Sequence, residues 1–227
     1  MNSIRDALAC VGHPTGGSVL QNLFGYFVVP KEISVRDQLN RLSGKHFHVN
    51  VIRVAPEDFP AGSTQQICYS LQVTREIFGS VGLGIGRVLW WEISKDQAGS
   101  KAVIDSGGEG EDLTEDWTVP NDGLDLFVVR LINGAEGWSA VKGPCDKNDK
   151  GWTGSIVELY LNPTDSRDDD YAANGFAHEM GHYLGLKHIP DSGNFIGGNG
   201  SSNSWTGIKE SQGRTMKRHC LVRDGCR

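Results

Sequence analysis

The sequence has no long hydrophobic run, few cysteines and no strong concentration of positive charge. None of its apolar stretches approaches the 18 residues of a membrane-spanning helix. Five cysteines in 227 residues, without CxxC spacing, are too few for a disulfide-built scaffold and argue against a cysteine-based zinc site. The formal net charge is −6 and the densest basic pair is Lys217-Arg218, so binding to nucleic acid or to an anionic membrane has little electrostatic support.

Signatures of nucleotide binding and of serine hydrolases are also missing. Gly82, Gly84 and Gly86 form GxGxG instead of GxGxxG, and neither GxxxxGK[ST] nor GxSxG occurs. The chain is rich in glycine, with 30 of 227 residues, about twice the roughly 7% of average proteins. Its length and its 38% hydrophobic content predict one folded domain, which we expect to be a monomer.

Hydrophobic periodicity predicts five strands and a helix after an N-terminal extension, residues 1–45, which has no sustained period and no signal-peptide pattern. The nearly continuous apolar run Leu124–Ile132 predicts a central strand buried on both faces, and the short segment Trp138–Val141 predicts an edge strand. Apolar residues at three- and four-residue spacing predict a helix over 63–80, capped by Ser63. The other predicted strands are His46–Val54, Val88–Ile93 and Ser155–Leu161.

The residues that carry chemistry are the run HEMGHYLGLKH, residues 178–188. On a helix, His178 and His182 lie about 40° apart around the axis and about 6 Å apart along it, so both imidazoles can reach one ion. Glu179 lies beside that face, where it can contact a metal-bound water without binding the metal. An unbroken helix would carry His188 roughly 9 Å too far, but Gly185 can take the left-handed conformation that ends a helix and turns the chain back.

At these eleven residues the sequence resembles the metzincin clan of zinc metallopeptidases, whose signature HExxHxxGxxH it matches at every fixed position. The resemblance implies an α+β catalytic domain with a twisted five-stranded mixed sheet, one antiparallel edge strand, an upstream helix and an active-site helix. We therefore assign residues 46–227 to a catalytic domain. The sequence does not indicate a family within the clan.

The clan also implies a methionine turn beneath the metal, and Met216 is the one methionine downstream of the motif. Because only 227 − 216 = 11 residues follow it, the usual C-terminal helix is expected to be absent, short or formed earlier, around Ser204–Gln212. Arg218 stands where some members have a tyrosine, so no tyrosine ligand is expected, and His219 is a candidate neighbour of the site. The propeptide cysteine motif of matrix metalloproteinases is absent around Cys10, and whether residues 1–45 act as a propeptide stays open.

In the function that this resemblance implies, His178, His182 and His188 hold one catalytic Zn²⁺ and Glu179 is the general base that activates water for peptide-bond hydrolysis. The substrate is a protein or peptide, lying extended along the edge strand Trp138, Ser139, Ala140 and Val141. The alternative is a weakly active or inactive module that holds zinc and binds extended polypeptide without cutting it.

Two acidic segments have simpler interpretations. Asp168–Asp170 precedes the motif and is typical of the first turn of a helix, where acids favour the helix dipole. Asp146–Gly151 resembles the start of a calcium loop, but Lys147 occupies a ligand position and Val157 stands where the twelfth-position glutamate belongs. Calcium binding there is less favoured than a polar turn.

The cysteines leave the compartment open. Cys145, Cys220 and Cys226 include one possible pair, and the sequence does not say which two would form it, or whether Cys10 and Cys68 stay free. A disulfide would favour an oxidising compartment. The clan resemblance implies a secreted enzyme, whereas no signal peptide is visible in this sequence.

Overall fold

The structure is a computed structural model that describes residues 19–22, 25–28, 44–148, 151–159, 166–191, 193–197 and 207–225. Cys10, Cys226, most of residues 1–43 and the predicted helix start at Ser204 lie outside these ranges. Within the N-terminal extension, strands β1 (Val19–Asn22) and β2 (Gly25–Val28) form an antiparallel pair. The boundary between extension and catalytic domain stays a prediction.

Five of the described strands form one mixed sheet, as predicted. They are β3 (Lys45–Val54), β4 (Leu83–Ile93), β5 (Gly123–Val129), β6 (Gly137–Ser139) and β7 (Gly154–Glu158), in the order β4-β3-β5-β7-β6. All neighbours are parallel except the edge strand β6, which runs antiparallel to β7. Among the described strands, β6 is therefore the antiparallel edge of the sheet.

The central strand β5 is buried along its whole length because helices cover both faces of the sheet. Leu124, Leu126 and Val128 belong to the core shared with the long helices α1 (Ser63–Gly79) and α4 (Ser166–Tyr183). Phe127 and Val129 belong to a second core on the opposite face. The continuous apolar run is thus explained by burial on both faces, as predicted, although the strand ends at Val129 and not at Ile132.

Several element boundaries differ from the prediction. Ser63 is the first residue of α1 and not its cap, because Gly62 takes that place with φ +91°. The helices α2 (Lys95–Ala98) and α3 (Gly107–Asp116) were not predicted, since they carry few apolar residues at helical spacing. The last helix, α5, covers Glu210–Met216, so it ends on Met216 instead of preceding it. None of the described helices is long and apolar enough to cross a membrane.

The loop between β6 and β7 is tied to the end of α4 and to the C-terminal segment. The backbone N–H groups of Lys142 and Gly143 donate to the carbonyls of His182 and Tyr183, at 2.9 and 2.8 Å. Tyr183 in turn donates its hydroxyl to two carbonyls of this loop. A disulfide joins Cys145 to Cys220, which decides the pairing that the sequence leaves open, and Cys68 is buried in the core.

A buried ion pair fixes the same loop to the sheet. Lys147 reaches into the core, and its Nζ lies 2.6 Å from Oδ1 of Asp125, a fully buried residue of β5. Asn50, Thr118 and the N–H of Val119 also donate to this carboxylate. Burial raises the pKa of Asp125 and lowers that of Lys147, and their mutual attraction opposes both shifts. This use of Lys147 explains why a lysine interrupts the calcium-like pattern.

Replacing Asp125 by asparagine is expected to destabilise the protein by about 3 kcal/mol or more, because Lys147 would either stay in the core as an unpaired cation or have to give up its proton. The measurement is the free energy of unfolding in denaturant. Asp224→Asn is the matched control, since Asp224 pairs with Lys45 while 83% exposed, and such a pair contributes less than about 1 kcal/mol. Equal losses in the two variants would contradict this assignment.

Candidate metal centre

Three histidine side chains converge beside the sheet edge. The Nε2 atoms of His178, His182 and His188 form a triangle with sides of 2.9, 3.0 and 3.0 Å. Among the described residues this is the group of three that could hold a metal ion. A tetrahedral ion at about 2.0–2.1 Å from each nitrogen separates its ligands by about 3.3 Å, so a slight opening of the triangle admits zinc.

The other ring nitrogens are held by backbone carbonyls. His178 Nδ1 lies 2.9 Å from the carbonyl oxygen of Phe195, and His182 Nδ1 lies 2.8 Å from that of Leu186. Because a carbonyl only accepts, each Nδ1 must carry the proton, and the lone pair of each Nε2 is then free for an ion. Both rings are therefore in the tautomer that a metal site of this geometry requires.

The electrostatic environment keeps these rings neutral. Burial, together with the neighbouring His182, lowers the pKa of His178 to about 4, and burial also lowers the pKa of His182. Neutral imidazole is the form that binds a metal. The donor set, its spacing and its protonation therefore all fit a divalent ion such as zinc.

The turn at Gly185 brings the third histidine to the other two. The N–H of Gly185 donates to the carbonyl of His182 at 2.8 Å, and the N–H of Leu186 donates to that of Gly181 at 3.0 Å. This pair of bonds is the Schellman ending of a helix, and its residue after the cap has φ +105°, a conformation that favours glycine. The chain then reverses, so that His188 faces the end of α4.

Glu179 lies against the edge strand, and a glycine makes room for it. It is 7% exposed, and its pKa is raised to about 8, first by burial and second by the charge of Glu136. A Cβ on Gly137 would lie 2.6 Å from Cγ of Glu179 and 2.7 Å from its Oε1. Any side chain at position 137 would therefore displace the carboxyl group of Glu179.

Two serines fasten the edge strand to α4 at the same level. Ser139 of β6 and Ser155 of β7 share a hydrogen bond of 2.9 Å, and the hydroxyl of Ser155 also lies 3.2 Å from the carbonyl oxygen of Glu179. Because Ser155 is fully buried, this contact is shielded from water. The edge strand and the metal-binding helix thus keep a fixed relative position.

A cleft of about 790 Å³ runs between the edge strand and α4. Its wall includes all three histidines and Glu179, together with Trp138, Ser139 and Val141 from the predicted substrate strand. The strand is shorter than predicted, because Ala140 and Val141 lie beyond its end at Ser139. Sequence reasoning missed Glu136 and Tyr171, which line the far end of the cleft and which no motif marks.

Met216 and His219 are both buried, but they lie in different surroundings. Met216 is fully buried in the core that also contains Met180 of α4, and its role beneath the imidazoles stays a prediction. His219 does not join the triad, because its Nε2 bonds to the carbonyl of Gly143 at 3.0 Å and its ring lies against Tyr183. It therefore holds the β6–β7 loop.

A pair of buried amides supports the carbonyl that orients His178, and the sequence pattern gave no sign of it. Asn194 and Gln212 exchange two hydrogen bonds of 2.9 and 3.0 Å, and Asn194 also accepts the N–H of Ile196 at 3.2 Å. These bonds attach the segment around Phe195 to α5. We refer to this pair as the amide clasp.

Gln212→Ala is expected to weaken zinc binding about tenfold, since loosening the amide clasp frees the carbonyl that orients His178. Competition with a chromogenic chelator measures the affinity of the metal-free protein for zinc. The control is Gln72→Ala, which removes an exposed amide of α1. Zinc affinity that is equal in wild type and Gln212→Ala would contradict the role of the clasp.

Comparison with known proteins gives a clear result only at the level of structure. No family model matches the sequence, and no curated protein matches it either. The crystal structure of archaemetzincin from Methanopyrus kandleri superposes with a TM-score of 0.53 at 14% identity, covering 77% of this chain and 95% of that one. Metalloproteinase-II from Bacteroides fragilis superposes with a TM-score of 0.51 at 10% identity, covering 80% of this chain and 54% of that one.

At these identities the likeness establishes the fold. The five-stranded mixed sheet and the helix beneath its antiparallel edge are shared with an archaemetzincin, and the three histidines of the HExxHxxGxxH motif come together in this chain. The fold that the motif's resemblance implies is thereby confirmed: the chain has the fold of an archaemetzincin, and the three histidines converge within it.

Proposed function

We propose that this protein is a zinc-dependent endopeptidase, in which His178, His182 and His188 hold one zinc ion and Glu179 is the general base. The observation that carries the proposal is the buried carboxyl of Glu179, which lines the same cleft as the three Nε2 atoms. The similarity to solved structures named archaemetzincin and metalloproteinase-II supports it. A site that only stored zinc would have no need of such a carboxyl.

The edge strand supplies a docking edge for an extended substrate. The N–H of Glu158 bonds to the carbonyl of Glu136 at 2.9 Å. In an antiparallel pair, residues that bond to the opposite strand alternate with residues whose backbone groups point away from it. The N–H and C=O groups of Gly137 and Ser139 therefore point away from β7. These groups can pair with a polypeptide laid along the cleft. An extended polypeptide can lie along the edge strand and continue past it, which suits cleavage within a chain.

Zinc, when bound, would polarise the scissile carbonyl and lower the pKa of a water molecule. Glu179 takes a proton from the attacking water, whose oxygen bonds to the carbonyl carbon of the substrate. The carbon–nitrogen bond then breaks, and Glu179 delivers the proton to the departing amine nitrogen. Its place in the wall of the cleft keeps Glu179 beside the reacting atoms in both steps.

The competing function is a zinc-holding module that binds polypeptide without cutting it. The same edge strand and histidines would serve it, so the two functions differ only in what Glu179 does.

The location of the protein is a separate matter. The Cys145–Cys220 disulfide supports an oxidising compartment, in keeping with the secretion that the clan resemblance implies.

Glu179→Gln is expected to retain zinc at one ion per chain and to lose about 10²-fold or more in kcat/KM, because the amide cannot accept the proton of water. His188→Ala is expected to weaken zinc binding itself, since it removes one of three ligands. The measurements are metal content and cleavage of a broad peptide library, with and without chelator. A zinc-loaded wild type without chelator-sensitive cleavage would favour the binding module.

Gly137→Ala tests the space that Glu179 needs. The added methyl group is expected to lower kcat by tenfold or more while zinc affinity stays near that of wild type, because the three atoms nearest to the added group all belong to Glu179. Gly44→Ala is the matched control, since a Cβ there meets nothing within 4 Å. If kcat were equal in the two variants, Gly137 would not be what gives Glu179 its position.

A further inference from the structure

One end of the cleft carries a carboxylate that the reaction does not use. Glu136 comes directly before the edge strand and lines the cleft together with Tyr171 of α4. The hydroxyl of Tyr171 donates to Oε1 of Glu136, so the carboxylate is held at the mouth of the cleft. Within the described ranges, no hydrogen bond or ion pair engages Oε2.

Lys187 also lines the cleft, but neither it nor any other basic side chain among the described residues forms an ion pair with Glu136. Partial burial and the neighbouring Glu158 both raise the pKa of Glu136. Glu158 is itself occupied, because its Oε2 accepts the N–H of Ile132 at 2.8 Å. A cation placed at Glu136 would relieve this repulsion.

We propose that Glu136 selects substrates with a lysine or arginine side chain, by pairing with the cationic group at the Tyr171 end of the cleft. This inference rests on the proposed peptidase function and names the substrate class for the same site. The cationic group donates to the carboxylate of Glu136 while Tyr171 holds that carboxylate from the other side. Glu136 is thus a specificity-determining residue with no part in the proton transfers.

The helix geometry gives the place of the selected residue. Tyr171 precedes His178 by seven residues, which is about 10 Å along the axis of α4. An extended substrate advances about 3.4 Å per residue, so the cationic residue lies within about three residues of the scissile bond. The selected residue therefore lies on only one side of the scissile bond, the side that faces the Tyr171 end of the cleft.

The test uses the zinc-loaded protein and peptide pools that are random except for one fixed position, occupied by lysine or by its uncharged counterpart norleucine. When the fixed position is the one that lies at Glu136, wild type is expected to cleave the lysine pool at least tenfold faster than the norleucine pool. Glu136→Gln should bring that ratio close to one, and Glu136→Lys should reverse it in favour of a pool with fixed glutamate. Glu76→Gln, an exposed glutamate of α1, is the matched control and should keep the wild-type ratio.

A binding measurement separates this inference from the peptidase function. In the Glu179→Gln background, fluorescence anisotropy with labelled lysine and norleucine peptides should show tighter binding of the lysine peptide, and adding Glu136→Gln should remove the difference. Glu136-dependent binding without cleavage by the wild type would overturn the peptidase proposal alone. Cleavage with the same lysine-to-norleucine ratio in wild type and Glu136→Gln would overturn the selectivity and leave the peptidase intact.

Discussion

A histidine offers one nitrogen to a metal reliably only when its other nitrogen is committed elsewhere. In this protein two backbone carbonyls, those of Leu186 and Phe195, provide that commitment for His182 and His178. Both carbonyls belong to the stretch of chain that follows α4. The turn at Gly185 therefore does more than return His188 to the site, because the chain it redirects also orients the two histidines that precede it.

This arrangement ties the metal centre to the C-terminal part of the chain. Phe195 packs against the helix at Gly181, where a Cβ would lie 2.7 Å from its ring. The amide clasp joins the same segment to α5, which ends on Met216. Gly181 and α5 thus have the same effect. Both hold the carbonyl of Phe195 opposite His178.

The sequence predicts the sheet well because each of its strands has a distinct pattern. The run Leu124–Val129 must be buried on both faces, and it is the middle strand. Prediction is poorer where packing decides the structure. The helix Gly107–Asp116 has three glycines and five acidic residues, so neither helix propensity nor hydrophobic periodicity predicts it. It is held by tertiary packing, because Leu113 belongs to the second core and Thr114 is fully buried.

The convergence of the three histidines could be predicted because their spacing along one helix and one turn is set by local geometry. Their surroundings could not, since they come from distant parts of the chain. Glu136 precedes Tyr171 by 35 residues, and Asn194 precedes Gln212 by 18. No periodic pattern connects such pairs. The site therefore divides into a local part that a motif encodes and a non-local part that only the folded chain assembles.

The Cys145–Cys220 disulfide belongs to the non-local part, and both of its cysteines are exposed. It holds the β6–β7 loop, which continues from the edge strand, but it contributes nothing to the carbonyls that orient His178 and His182. The position of this loop and the orientation of the two histidines therefore have separate structural origins. A substitution in the loop can change the mouth of the cleft without touching the carbonyls that orient the histidines, so the two parts of the site can vary independently.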